Sequence, residues 1–181
     1  MTDQQQTHRV LFTVFNIPFT VTHNSWRFIP PKLVIGMVVA ALTLTEEAVI
    51  ARSLWGIVYG ILLLVVLFLH IIGHIFISKR VLPSMTEARI TPILIQTLYA
   101  NDTDVVPGRV HLIRSLGGPA MTLSLGICAL LLWSLIGGHP ILFFALANFA
   151  ILGIVLLPLP TVDGEVIWRE IGQLLRGKGA R

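Results

Sequence analysis

From Leu54 to Ile77 the chain carries no Asp, Glu, Lys or Arg, and its only titratable groups besides Tyr59 are His70 and His74. A stretch of that length and polarity is long enough to cross about 30 Å of hydrocarbon as a helix. It also constrains everything around it, because a backbone in lipid must satisfy its own hydrogen bonds. Composition agrees: 55% of the 181 residues are hydrophobic and 12% charged, about half the charge of an ordinary soluble domain. The expectation is an integral, multi-pass all-α membrane protein whose environment is the lipid bilayer. The net charge of +4 does not point to nucleic acid, since the basic residues fall at the ends of apolar segments. Cys128 is the single cysteine, so no internal disulfide forms. No cleavable signal is expected, because Met1 to Gln6 is polar and no short apolar core follows at once.

Four segments are expected to span: 26–44, 54–77, 110–136 and 140–159. The first is weakest, with Pro30 and Pro31 near its start. The third is interrupted by Arg114 and Gly117-Gly118-Pro119, and Gly137-Gly138-His139 makes a tight turn before the fourth. Every Lys and Arg except Arg52 then falls on one side, which places both termini in the cytoplasm. Phe12 to His23, mixed apolar and β-branched, is expected as a strand at the membrane surface. Thr86 to Leu98 is a second strand candidate, which Pro92 would confine to a sheet edge. Asn101 to Gly108 reads as a turn-rich loop, and 165–176 as a short amphipathic helix on the cytoplasmic surface. The whole of 1–181 reads as one membrane-embedded domain.

His70 and His74 stand one helical turn apart on one face, the spacing with which a helix offers two nitrogens to one zinc ion. Titratable groups are costly in a bilayer and mark functional sites. Zinc needs a third ligand, and Asp163 is the candidate. It follows Leu157-Pro158-Leu159-Pro160, where two prolines remove backbone donors at the end of the fourth span. The second and fourth spans run in the same direction, so His70, His74 and Asp163 can meet near the cytoplasmic side. Two histidines, a carboxylate and a water form a common hydrolytic Zn²⁺ site. Two blander readings stay open at this point: a small haem-binding bundle, and a structural bundle with no metal. Arg114 is expected as an interfacial anchor.

These motifs resemble those of the site-2 proteases, the intramembrane zinc metalloproteases. His70-Ile71-Ile72-Gly73-His74 is similar to that family's His-Glu-x-Gly-His motif, and the segment from Leu157 to Gly164 to its Pro-x-Pro-x-x-Asp-Gly. Gly117-Gly118-Pro119 resembles the Gly-Pro motif of its third core helix. Asn16-Ile17-Pro18-Phe19 with His23-Asn24-Ser25-Trp26 looks like its amino-terminal strand and the approach to its first helix. The resemblance implies a four-transmembrane-helix bundle with short peripheral β-strands, and His70, His74 and Asp163 as zinc ligands. It does not supply a catalytic residue, because Ile71 stands where the family has its catalytic glutamate. Thr122 and Val155 replace two family asparagines, and Glu165 replaces a glycine. The implied function is a regulatory or substrate-binding homologue with hydrolysis lost, its partner a transmembrane or membrane-associated peptide that adds to an edge strand. The alternative is an active metalloendopeptidase with an unorthodox general base. Glu165 is expected to point away from the site, being two residues from Asp163 on a helix.

Overall fold

Phe15 and Asn16 both sit at positive φ (51° and 67°), the backbone of a two-residue hairpin turn. The segment expected as one strand from Phe12 to His23 is therefore two: β1 (Arg9–Val14) and β2 (Ile17–Val21), paired antiparallel. This computed structural model describes residues 9–81, 84–100 and 106–176. Most of the turn-rich loop expected at Asn101 to Gly108 lies outside the described residues.

The second strand candidate also divides, into β3 (Met85–Ile90) and β4 (Ile95–Tyr99). Pro92 lies in the turn between them, where Thr91 Oγ1 accepts from the backbone N–H of Ile93 (3.3 Å) and Leu94 (3.1 Å). A proline that cannot donate to a ladder is spared that task in a turn. The sheet order is β1-β2-β3-β4, with β2 and β3 parallel, so β4 is an edge strand.

The helices are α1 (Pro30–Thr43), α2 (Val49–Ser78), α3 (Gly108–Ser115), α4 (Gly117–Ile136), α5 (His139–Val155) and α6 (Asp163–Leu175). A 3-10 turn, Ser25–Phe28, leads into α1. Among the described residues, three helical stretches are long and apolar enough to cross a membrane: Ser25–Thr43, Val49–Ser78 and Gly108–Ile136. The protein is thus an integral membrane protein of mostly helical build with one small sheet. The third stretch breaks at Leu116, between α3 and α4. The helix expected to run to Leu159 stops at Val155, because Pro158 and Pro160 cannot continue its ladder.

The sheet packs on the second half of α2. Ile17 and Phe19 of β2 and Met85 and Ala88 of β3 enclose Ile71, Ile72 and Ile75 in one buried cluster. The stretch of α2 that bears the two histidines is thereby clamped from outside. On its other side, Gly73 meets Gly117 backbone to backbone: a Cβ on either would collide with the main chain of the other. Small residues at a crossing let membrane helices approach this closely.

Candidate metal centre

His70 and His74 project from one face of α2 and are 7% and 2% exposed. Their Nε2 atoms face each other at 3.1 Å. The break at Leu116 shapes this site. His74 Nδ1 donates to the Arg114 carbonyl at 2.9 Å, an oxygen two residues before the break. That bond fixes the proton on Nδ1 and leaves a lone pair on Nε2, the pattern by which a second group orients a metal-binding histidine. His70 Nδ1 is buried and has no hydrogen-bond partner among the described residues, so His70 is held by packing and by Nε2.

Asp163 arrives from a separate direction. It is the first residue of α6, where the positive end of the helix dipole favours a carboxylate. The amphipathic helix expected at 165–176 thus starts two residues earlier, and the third group of the site lies on it. Two contacts pin α6 against the end of α5. The Trp168 indole N–H donates to the Leu156 carbonyl at 2.8 Å, and Gly164 lies against the backbone of Leu156 and Leu157, with no room for a side chain. Thr161, just before, holds φ at 72°. For a β-branched residue this backbone costs about 1–3 kcal/mol and persists only where the surroundings enforce it. The Glu165 carboxylate accepts the Thr161 backbone N–H at 3.0 Å, so it braces this turn.

Asp163 Oδ2 lies 3.1 Å from His70 Nε2 and 3.3 Å from His74 Nε2. A tetrahedral zinc ion with bonds of about 2.0–2.1 Å sets its ligand atoms roughly 3.3 Å apart. The three edges of this triangle match that spacing. The donor set fits too. Burial alone would raise the Asp163 carboxyl, but the His70 and His74 imidazoles beside it outweigh burial and hold it at about 2. A carboxylate and two imidazole lone pairs focused on one point repel one another unless a proton or a cation sits between them. The haem alternative fares poorly: nitrogens 3.1 Å apart on one helix cannot bind from opposite faces of a planar macrocycle.

Gly118, at the start of α4, closes the centre. A Cβ there would fall against the Nε2 atoms of both His70 and His74, so the absent side chain leaves the space a cation needs. Gly118→Ala should weaken zinc binding roughly ten- to hundredfold, the equivalent of about 1–3 kcal/mol of overpacking. Competition with a chelating dye measures it. Gly153→Ala is the control, because a Cβ at Gly153 meets nothing within 4 Å.

Ile71 is 4% exposed and belongs to the buried cluster under the sheet, while also lining a groove beside the two histidines. That groove has a volume of about 520 Å³ and runs between α2, α5 and residues Ile95–Leu98 of β4. Val155, in place of a family asparagine, lines it as well. Thr122 does not reach it by hydrogen bonding, since its hydroxyl donates back to the Gly118 (3.2 Å) and Pro119 (3.0 Å) carbonyls. A second, polar cavity of about 340 Å³ adjoins it, and His74, Thr97, Thr161, Val162 and Asp163 line both. His111, Arg114, Glu165 and Arg169 line the polar one.

Arg114 is not an interfacial anchor. It is 3% exposed, and its guanidinium lies 4.3 Å over the Tyr99 ring. Its carbonyl role for His74 has no signature in sequence, because any residue supplies a carbonyl; a basic residue inside an apolar run was the available hint. His139 lies away from the centre, with Nδ1 2.9 Å from the Tyr59 hydroxyl.

No family model matches this sequence, and neither does any curated protein. Among solved structures it is similar to the site-2 protease from Methanocaldococcus jannaschii, with a TM-score of 0.62 at 24% identity, over 92% of this chain and 72% of that one. The chain thus has the fold of a site-2 protease.

Proposed function

We propose that this protein is a site-2-protease-like membrane protein that keeps a zinc site at His70, His74 and Asp163 and has lost peptide hydrolysis. It would act as a pseudoprotease that holds a membrane-embedded or membrane-associated peptide, in a regulatory or scaffolding role. One observation carries the reading: three ligand atoms converge with edges of 3.1–3.3 Å, while the position that should bear the proton-transfer group is a buried isoleucine. Bound zinc would supply Lewis acidity toward a water or a carbonyl. Ile71 can neither hold nor move a proton. Glu165 is tied to the Thr161 N–H and is a poor substitute.

In this reading α1, α2, the α3–α4 pair and α5 are four spans, with both termini cytoplasmic. The distribution of Lys and Arg supports it. The 17 residues of α5 reach about 25 Å, and the turns after Val155 extend its apolar end. The peptide would lie in the groove and add to the free edge of β4, whose residues line it.

Purified full-length protein tests the reading. It should retain about one zinc per chain by elemental analysis and leave a helical transmembrane substrate uncut. Zinc far below that level removes the site. Cleavage by wild type that His74→Ala abolishes would instead establish the active metalloendopeptidase with an unorthodox base.

A further inference from the structure

The groove beside the metal centre is mostly apolar, and its charges are few. Apart from the two histidines, the residues lining it include one cation, Lys32, and one carboxylate, Asp163. Asp163 is engaged by both imidazoles. Lys32 has no carboxylate within ion-pair distance among the described residues; its ammonium rests 3.6 Å over the ring of Phe28, itself a buried lining residue.

The position is unfavourable for a cation on its own helix. Lys32 lies in the first turn of α1, where the dipole presents its positive end. Apolar neighbours on the groove wall lower the local screening, so the charge is felt more strongly there than on an open surface. Cation–π contact with Phe28 offsets part of this. The result is a positive charge without a carboxylate partner among the described residues, in a groove that the edge strand β4 also lines.

We infer that Lys32 sets the charge preference of the groove, selecting an extended, largely apolar segment that carries an acidic side chain. The segment pairs with the edge of β4 through its backbone, and its carboxylate meets the Lys32 ammonium. This rests on the peptide-holding reading above and adds to it a substrate class.

The test uses full-length zinc-loaded protein in phosphatidylcholine nanodiscs. The probes are fluorescent eight-residue peptides of Val, Ile and Thr with one Glu moved along the sequence, each matched by its Gln counterpart. At one position Glu should bind about tenfold more tightly than Gln, the scale of a partly desolvated charge-assisted hydrogen bond. Lys32→Met, which keeps most of the apolar stem, should erase that difference, and Lys32→Glu should turn it toward a Lys-bearing peptide. Should either variant fail to fold, the wild-type Glu–Gln comparison decides alone. Equal binding of Glu and Gln peptides at every position overturns the charge preference and leaves peptide holding intact. Failure of every peptide to bind overturns both. If phosphatidylglycerol in the nanodisc abolishes the Glu preference and Lys32→Met weakens binding to that lipid, Lys32 is a headgroup contact and the inference falls.

Discussion

On the proposed reading, Ile71→Glu should bring cleavage of a helical transmembrane peptide that wild type leaves intact, with a gain of about 10²–10⁴-fold, the usual worth of a positioned proton-transfer group. The carboxylate would stand on α2 between His70 and His74, on the wall of the groove that Ile71 already lines. The substitution has a cost. Ile71 also packs under the sheet against Phe19, Met85 and Ala88, and its burial is worth about 1.5–3 kcal/mol. The variant should therefore unfold earlier in denaturing detergent while gaining activity. Opposite movements of stability and activity separate a restored base from a general improvement in folding. A folded, zinc-loaded variant with no activity would show that Val155, where the family places an asparagine, matters as well. Ile71→Glu with Val155→Asn is then the deciding pair.

His74→Ala should reduce bound zinc from about one per chain to near zero. A four-ligand zinc site is worth roughly 10–16 kcal/mol, and the loss of one nitrogen should cost about 10³-fold or more in affinity on that scale. His74 should be the more damaging of the two histidines to replace. Its removal also takes away the hydrogen bond from Nδ1 to the Arg114 carbonyl at 2.9 Å, which is worth about 0.5–1.5 kcal/mol. His70 has no such second partner among the described residues. Acid should mimic the substitution in wild type. Imidazoles bind metal only when neutral, so zinc retention should fall as the pH is lowered. Elemental analysis after dialysis at stepped pH measures both effects, and zinc retained by His74→Ala would displace this residue from the ligand set.

The convergence of His70, His74 and Asp163 was legible because it depends on short-range regularities. The spacing of His70 and His74 fixes a shared face on any helix, and Pro158 and Pro160 announce that the chain leaves its helix before Asp163. What surrounds the ligands was less legible. The hairpin at Phe15-Asn16 hides behind a phenylalanine, and only Asn16 hints at positive φ. The parallel pairing of Phe19 with Ala88 joins distant segments with no local signal. The break at Leu116 was visible only as an Arg and two glycines inside an apolar run, and its consequence, a carbonyl turned toward His74, is backbone chemistry that any sequence would carry. Gly118 shows the same limit: its role is the space it leaves, which becomes meaningful only when both imidazoles are placed beside it. Thr161, strained at positive φ next to Asp163, runs against propensity, as residues at functional sites often do.

The centre stands between two chambers that share Asp163 and a stretch of β4, one mostly apolar and reaching to Ile151 and Val155, the other polar and lined by Arg114 and Arg169. Hydration and cargo therefore come from different doors. A guest resting in the greasy chamber leaves the wet one open, so water keeps its access to Asp163 and His74 from the polar side. Were a peptide held there as proposed, the site would stay open to solvent throughout.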